Sequence, residues 1–149
     1  MISSIAVDSS VIVKWFKKGE EYEREAIRFR DDVLSSNIDV VMCEWVFLEV
    51  CRSLVKAGFS ERKVNEAYEV LKRMSELGFI KVFPVSLLLN RAVELEIGLK
   101  LYASDALHLA LAVEKSIDLL TEDRHLLRQE VKDYVSEKGL KILRLSDLY

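Results

Sequence analysis

The sequence predicts an α/β fold, a three-layer α/β/α sandwich around a mainly parallel sheet of about five strands. Three observations lead there. Short apolar runs alternate with longer helical ones along all 149 residues. Those apolar runs lack the polar alternation of a half-exposed strand, so the sheet is covered on both faces. Strands that alternate with helices are joined by right-handed crossovers, which build a parallel sheet with helices on either side.

The elements follow in order. Strands are predicted at residues 2–7, 40–42, 80–83, 117–120 and 141–143. Helices are predicted at 10–16, 22–34, 45–57, 61–77, 87–97, 105–114 and 124–135. Gly58 and Gly78 stand where a helix end calls for a left-handed residue. There is no repeat, no low-complexity tract and no Pro/Gly-rich linker, and the only proline is Pro84. A chain of this length suits one domain, residues 1–149, with a sizeable core.

Composition narrows the class. Half the residues are hydrophobic and 32% are charged, a profile of soluble globular proteins. No apolar run approaches the ~20 residues that span a bilayer. The N-terminus shows neither a basic region nor a small-residue cleavage site, so no signal peptide is expected. Cys43 and Cys51 form no CxxC or zinc pattern and are expected to be reduced and partly buried, in a cytoplasmic protein. The net charge of −3 argues against bulk attraction to nucleic acid but permits a local basic rim.

Four acids carry the chemical argument. Asp8 ends the first strand, and Asp123, in LLTEDRH, follows the fourth. Both belong at the carboxyl edge of the sheet, where ligands of such folds gather. Asp105 opens the apolar helix of YASDALHLALA. Glu49 lies inside the helix of CEWVFLEVCRSL. Taken singly, the aspartates are ordinary helix-end carboxylates, and Glu49 is a solvated helix residue that pairs with Arg52 or Ser53. Taken together they converge on one edge. Converging carboxylates raise one another's pKa unless positive charge sits between them. A hard divalent cation, Mg²⁺ or Mn²⁺, suits oxygen donors and can polarise a phosphoryl oxygen. Ser9 and Thr121 are positioned either to hold a ligand water and orient a carboxylate, or to cap helices.

These segments bear a family resemblance. VDSSVIVKWF, LEVCRSLVKAG and YASDALHLALAVEKSIDLLTEDRHL, in this order and spacing, resemble the PIN-domain ribonucleases, especially the VapC toxins of prokaryotic toxin–antitoxin pairs. The resemblance covers nearly the whole chain. It implies an acidic Mg²⁺/Mn²⁺ site that cleaves single-stranded or loop RNA. Asp8, Glu49, Asp105 and Asp123 take the four acidic positions, as catalytic residues and metal ligands. Thr121 matches the hydroxyl of a T-x-D segment, and Ser9 the small residue after the first acid. Many relatives carry a proline after the second strand, where this chain reads VMCEWV. Glu44 there is read as a helix-start residue.

Water attack assisted by such a site leaves 5′-phosphate and 3′-hydroxyl ends. Lys14, Lys17 and Lys18 after the first acid, and Arg124 and Arg128 after the fourth, are candidates for a phosphate-binding rim. Taken singly, each is more simply explained as part of a solvated helix face. Trp15 and Phe16 read as core or interface, His108 as a packed histidine and His125 as a surface one. Ala26, Ile27, Val33 and Leu34, then Val64, Ala67, Tyr68 and Leu71, form apolar stripes that core packing explains. The resemblance implies that this region receives an antitoxin segment and that the protein forms a homodimer. Two rival readings remain: a non-catalytic RNA- or protein-binding module, and another Mg-dependent phosphohydrolase. The Ser-Ser after Asp8 departs from the D-x-D of phosphatase-like hydrolases.

Overall fold

The computed structural model describes residues 3–149. Ile2, placed in the first strand on sequence grounds, lies outside the described residues. The elements run β1 (Ser3–Val7), α1 (Ser9–Ile12) continued by a 3₁₀ turn (Val13–Trp15), α2 (Glu23–Leu34), β2 (Ile38–Cys43), α3 (Trp45–Lys56), α4 (Glu61–Glu76), β3 (Ile80–Phe83), a 3₁₀ turn (Val85–Leu87), α5 (Leu89–Leu99), α6 (Ala103–Lys115), β4 (Asp118–Leu120), α7 (Gln129–Ser136), β5 (Ile142–Leu143) and α8 (Leu145–Leu148). All strand pairings are parallel, in the order β3-β2-β1-β4-β5. This is the expected three-layer sandwich.

Strand pleating divides the core in two. Ile5, Val7, Val40, Met42 and Leu120 point to the face packed by α1 to α4, with Phe29, Leu54 and Leu71 fully buried there. Ala6, Val41, Cys43 and Leu119 point to the opposite face, against Leu95 of α5, Leu109 and Leu111 of α6 and Val131 of α7. Both sheet faces are thus dry, which is why the strand sequences are continuously apolar. Trp15 belongs to the first core: its indole N–H donates to the Ala26 carbonyl and its ring tilts against Phe29. Among the described residues no helix is long and apolar enough to cross a membrane.

Helix ends follow local chemistry. Gly58 and Gly78 both adopt positive φ, +85° and +86°. The next amide turns back in each case, Phe59 N–H to the Leu54 carbonyl and Phe79 N–H to Met74. Ser60 caps α4 through the Lys63 amide.

Several boundaries differ from the sequence reading. The segment read as one helix over 124–135 is a run of turns up to Arg128, and α7 starts only at Gln129. Its early part is a single turn in which the Leu126 and Leu127 amides donate to the Asp123 carbonyl, braced by the side chains of Asp123 and Arg128. The four-residue α8 has no counterpart in the sequence reading. Glu44 does sit at the start of α3, but its carboxylate accepts the Val85 amide at 2.8 Å and so caps the turn after β3 instead.

The order of strands fixes where a ligand can enter. From β1 the chain builds outward to β2 and β3, then returns to place β4 on the other side of β1. The helices on either side of β1 and β4 therefore diverge, and a crevice opens at the carboxyl ends of these two strands.

Candidate active site

Asp8 and the turn that carries Asp123 stand at that crevice. Asp8 is extended and caps α1: its Oδ1 accepts the Ser10 amide at 3.1 Å and the Ser10 hydroxyl at 2.6 Å. Its Oδ2 accepts the Thr121 hydroxyl at 2.6 Å. Ser10 and Thr121 also steady the turn after β4, since the Glu122 amide donates to Ser10 Oγ and the Asp123 amide to Thr121 Oγ1. These two hydroxyls thus orient the Asp8 carboxylate and brace the turn after β4, and neither caps a helix. Of the two serines after Asp8, Ser10 makes these bonds. Ser9 instead lines a groove beside Glu49, with Trp45, Leu48, Arg52, Ser53 and Lys56.

Asp123 completes its own turn by accepting the His125 amide at 2.7 Å. Asp105 sits in the first turn of α6, 6% exposed, and accepts no side-chain or backbone donor among the described residues. Burial pushes its pKa up to about 6, and the neighbouring Asp123 charge adds to the rise, with Asp8 contributing and His108 and His125 opposing. Burial likewise lifts Asp8 above the ordinary carboxylate range, against the pull of His108 and the Ser10 and Thr121 hydrogen bonds. These couplings place Asp8, Asp105 and Asp123 in one electrostatic neighbourhood.

Glu49 reaches it through a partner. Its Oε1 lies 2.5 Å from Nε2 of His108, a residue on the same helix as Asp105 and almost fully buried. Burial disfavours the imidazolium, but the Glu49 hydrogen bond and the charges of Glu49, Asp8 and Asp105 outweigh it and raise the His108 pKa. The histidine is packed, as the apolar helix suggested, and it ties Glu49 to the helix that bears Asp105. The i, i+3 spacing of Asp105 and His108 was the signal for this: it puts both on one helix face.

The basic candidates separate on inspection. Lys14 Nζ donates to the Glu21 carbonyl and Lys17 pairs with Glu20. Arg128 donates to the carbonyls of His125 and Leu99, joining the turn after β4 to the end of α5. Arg124 and Lys18 are exposed. Arg52 and Lys56, exposed beside the Glu49 groove, are cations that the sequence reading left out of the rim.

The donor chemistry fits a hard cation. Asp105 is a largely buried carboxylate that accepts no protein donor among the described residues, its ionisation is opposed by burial and by the Asp123 carboxylate, and added positive charge relieves that opposition. Convergence is incomplete, however: among the described residues no three His, Cys, Asp or Glu side chains form a group able to hold a metal ion as they stand.

Other sequence expectations resolve into packing. Cys43 and Cys51 are free, the first buried and the second half-buried. In the apolar stripes, Ala26, Val33, Ala67 and Leu71 are core residues, Ile27 and Val64 are half-buried, and Leu34 and Tyr68 remain exposed.

A parallel α/β sandwich with a carboxylate-lined crevice at its switch point is the class that fold and site define. Within that class the chain belongs to the PIN domain family, whose model matches residues 5–132. Three solved structures share the fold. The Mycobacterium tuberculosis toxin VapC20, described as cleaving the sarcin–ricin loop, is 21% identical, with 80% of this chain and 90% of that one covered at a TM-score of 0.65. A toxin–antitoxin complex from Klebsiella pneumoniae is 21% identical, with 91% and 94% covered and a TM-score of 0.58. VapBC2 from Rickettsia felis, bound to a promoter DNA fragment, is 14% identical, with 95% and 98% covered and a TM-score of 0.60. A search of the curated proteins gives no match.

Proposed function

We propose that this chain is a Mg²⁺- or Mn²⁺-dependent endoribonuclease, the toxin of a toxin–antitoxin pair, acting in the cytoplasm. The observation that carries this reading is that Thr121 ties the Asp8 carboxylate to the turn bearing Asp123 at the switch point, with Asp105 buried in the first turn of α6. Membership of the PIN family supports a nuclease. The likeness in fold to a toxin named for cleaving the sarcin–ricin loop, and to a toxin–antitoxin complex, supports RNA as substrate and an antitoxin as partner. By the family resemblance the working unit is a homodimer.

Asp8, Asp105 and Asp123 are the residues to hold the cation, with Glu49 joining directly or through water. When bound, the cation supplies charge neutralisation and Lewis acidity toward a phosphodiester. The chain's own residues do the rest. Ser10 and Thr121 fix both oxygens of Asp8 in place. The His125 amide fixes Asp123. Burial and the Asp123 charge raise the Asp105 pKa to about 6 in the metal-free site, and a bound cation would oppose that rise. His108 and Glu49 are a hydrogen-bonded pair that limits the surplus negative charge on the α3 side. Exposed Arg124, the residue after Asp123, is a cation available to substrate phosphates.

The test is incubation of a total RNA pool with the purified chain in Mg²⁺, Mn²⁺ or chelator, followed by mapping of new ends. Metal-dependent cleavage leaving 5′-phosphates, absent from Asp8→Asn and Asp105→Asn, is the expected result. Equal cleavage by both variants rejects it.

One observation favours a second reading, a non-catalytic module binding RNA or protein. Glu49 is engaged by His108, and no ready-made three-donor group stands in the crevice among the described residues. Tight RNA or partner binding without metal-dependent turnover selects that reading. Release of inorganic phosphate from a phosphomonoester selects the phosphohydrolase alternative.

A further inference from the structure

Beside the acids lies an aromatic pair, Tyr102 and His125. Tyr102, the residue before α6, is 70% exposed. Its ring meets the His125 imidazole at 82°, with centroids 5.4 Å apart. In such an edge-to-face pair, one ring keeps both faces clear of its partner and the other keeps one. Tyr102 therefore offers at least one open π-face whichever ring supplies the edge.

Both rings are anchored to the site. Tyr102 stands three residues before Asp105, ~4.5 Å along the helix axis. The His125 amide donates to Asp123 Oδ1 at 2.7 Å. Arg128 joins the two supporting segments. Its Nη2 donates to the Leu99 carbonyl at 2.8 Å and its Nε to the His125 carbonyl at 3.1 Å. Leu101, between Leu99 and the tyrosine, is buried in the core. The exposed ring is thus held on fixed backbone, so little freedom is lost when a flat ligand covers it. Arg124 and Lys100, exposed on the same two segments, add positive charge nearby.

We propose that Tyr102 is a substrate-positioning residue that stacks an unpaired RNA base next to the acidic site, with His125 and Arg128 holding its ring in place. The proposal rests on the ribonuclease reading and deepens it. Stacking needs an unpaired base, because a base inside a duplex has its faces covered. The platform accordingly selects single-stranded or looped RNA over duplex.

The test uses the full chain and a single-stranded 12-nucleotide RNA of mixed sequence with 2-aminopurine substituted at successive positions. Binding is measured with Asp105→Asn protein so that the probe survives, and cleavage with Asp105 present. The expected result is that 2-aminopurine at one position is quenched on binding. Tyr102→Leu abolishes the quenching and weakens binding about tenfold, and Tyr102→Phe restores both. In cleavage, Tyr102→Leu raises KM by a similar factor with a smaller effect on kcat. A duplex of the same sequence shows no dependence on residue 102.

Unchanged affinity and quenching in Tyr102→Leu overturn the proposal even if metal-dependent cleavage stands. Quenching that depends on Tyr102 in a chain without turnover upholds the platform while the nuclease reading falls. Absence of RNA binding by the parent chain overturns both. Loss of binding in Tyr102→Leu together with a changed oligomeric state overturns the proposal in favour of a contact between copies.

Discussion

His108 and Glu49 join α6 to α3 across the acidic crevice, Nε2 to Oε1 at 2.5 Å. Nδ1 of the same ring is buried and has no partner among the described residues. This one bond brings a glutamate from the middle of an amphipathic helix to the acids, and the carboxylates around the imidazole favour its protonation.

The pH dependence of metal-free stability follows from these groups. Asp105 titrates near 3.8 unfolded and about 6 folded, so the folded state binds more protons between those values. Its contribution is present below the unfolded pKa and lost as pH rises through about 6. Asp8, raised chiefly by burial, has the same sign. His108 is also raised, so its contribution is complete below ~6.5 and lost as pH rises through the folded value. In chelator, the melting temperature should therefore fall from pH 5 to pH 8, and saturating Mn²⁺ should flatten the slope. Glu49→Gln should reduce the upper part of the slope. A metal-free melting temperature that climbs steadily over this range contradicts the assignment.

Asp105→Asn separates stability from activity. The neutral amide escapes the penalty of ionising in a buried, like-charged setting. In chelator at pH 7.5 the variant should gain ~1–2 kcal/mol, a rise of a few degrees in melting temperature. RNA cleavage should drop by at least ~100-fold. Differential scanning fluorimetry with and without metal measures the first, and end-labelled RNA the second. A less stable, fully active variant rejects both.

Ser10 and Thr121 should matter more than Ser9. Ser10→Ala or Thr121→Val removes a donor from the buried Asp8 carboxylate, costing ~1–3 kcal/mol. Ser9→Ala removes none of the bonds described for Asp8. Urea midpoints and cleavage rates should rank Ser10→Ala and Thr121→Val well below Ser9→Ala. The reverse order would restore Ser9 as the orienting hydroxyl.

The C-terminal segment is latched to the site. Glu122, largely buried, accepts Arg144 Nη2 at 2.7 Å and the Leu145 amide at 2.9 Å. Its own amide binds Ser10. Tyr149 adds a second tie by donating to Asp32, with Arg28 over its ring. Arg144→Met should destabilise by ~1 kcal/mol, the arginine being partly exposed, and should speed amide exchange across α8. Exchange confined to parent-like rates would show that the latch is idle.

Arg124 should carry the salt dependence of RNA binding. It is exposed, whereas Lys14 and Arg128 donate to carbonyls and Lys17 pairs with Glu20. Arg124→Ala should lower the slope of log affinity against log salt by ~1, and Lys14→Ala by less. Equal slopes for both would put the substrate path elsewhere.

Sheet class and the edge that bears Asp8 and Asp123 were legible in one dimension. Apolar runs such as Ile5-Ala6-Val7 report burial on both faces, and burial on both faces in a strand–helix alternation admits few topologies. The glycines ending α3 and α4 were legible because a left-handed turn is a local event. Two things required tertiary structure. Which of two adjacent serines turns inward depends on how α1 leaves β1, a matter of backbone direction that residue type does not encode. That His108 meets Glu49, 59 positions apart, and that Arg128 joins Leu99 to His125, depend on how helices pack across the crevice. A charged side chain reads the same in sequence whether it faces water or a partner. Burial and neighbouring charge decide its chemistry, and both exist only once the chain has folded.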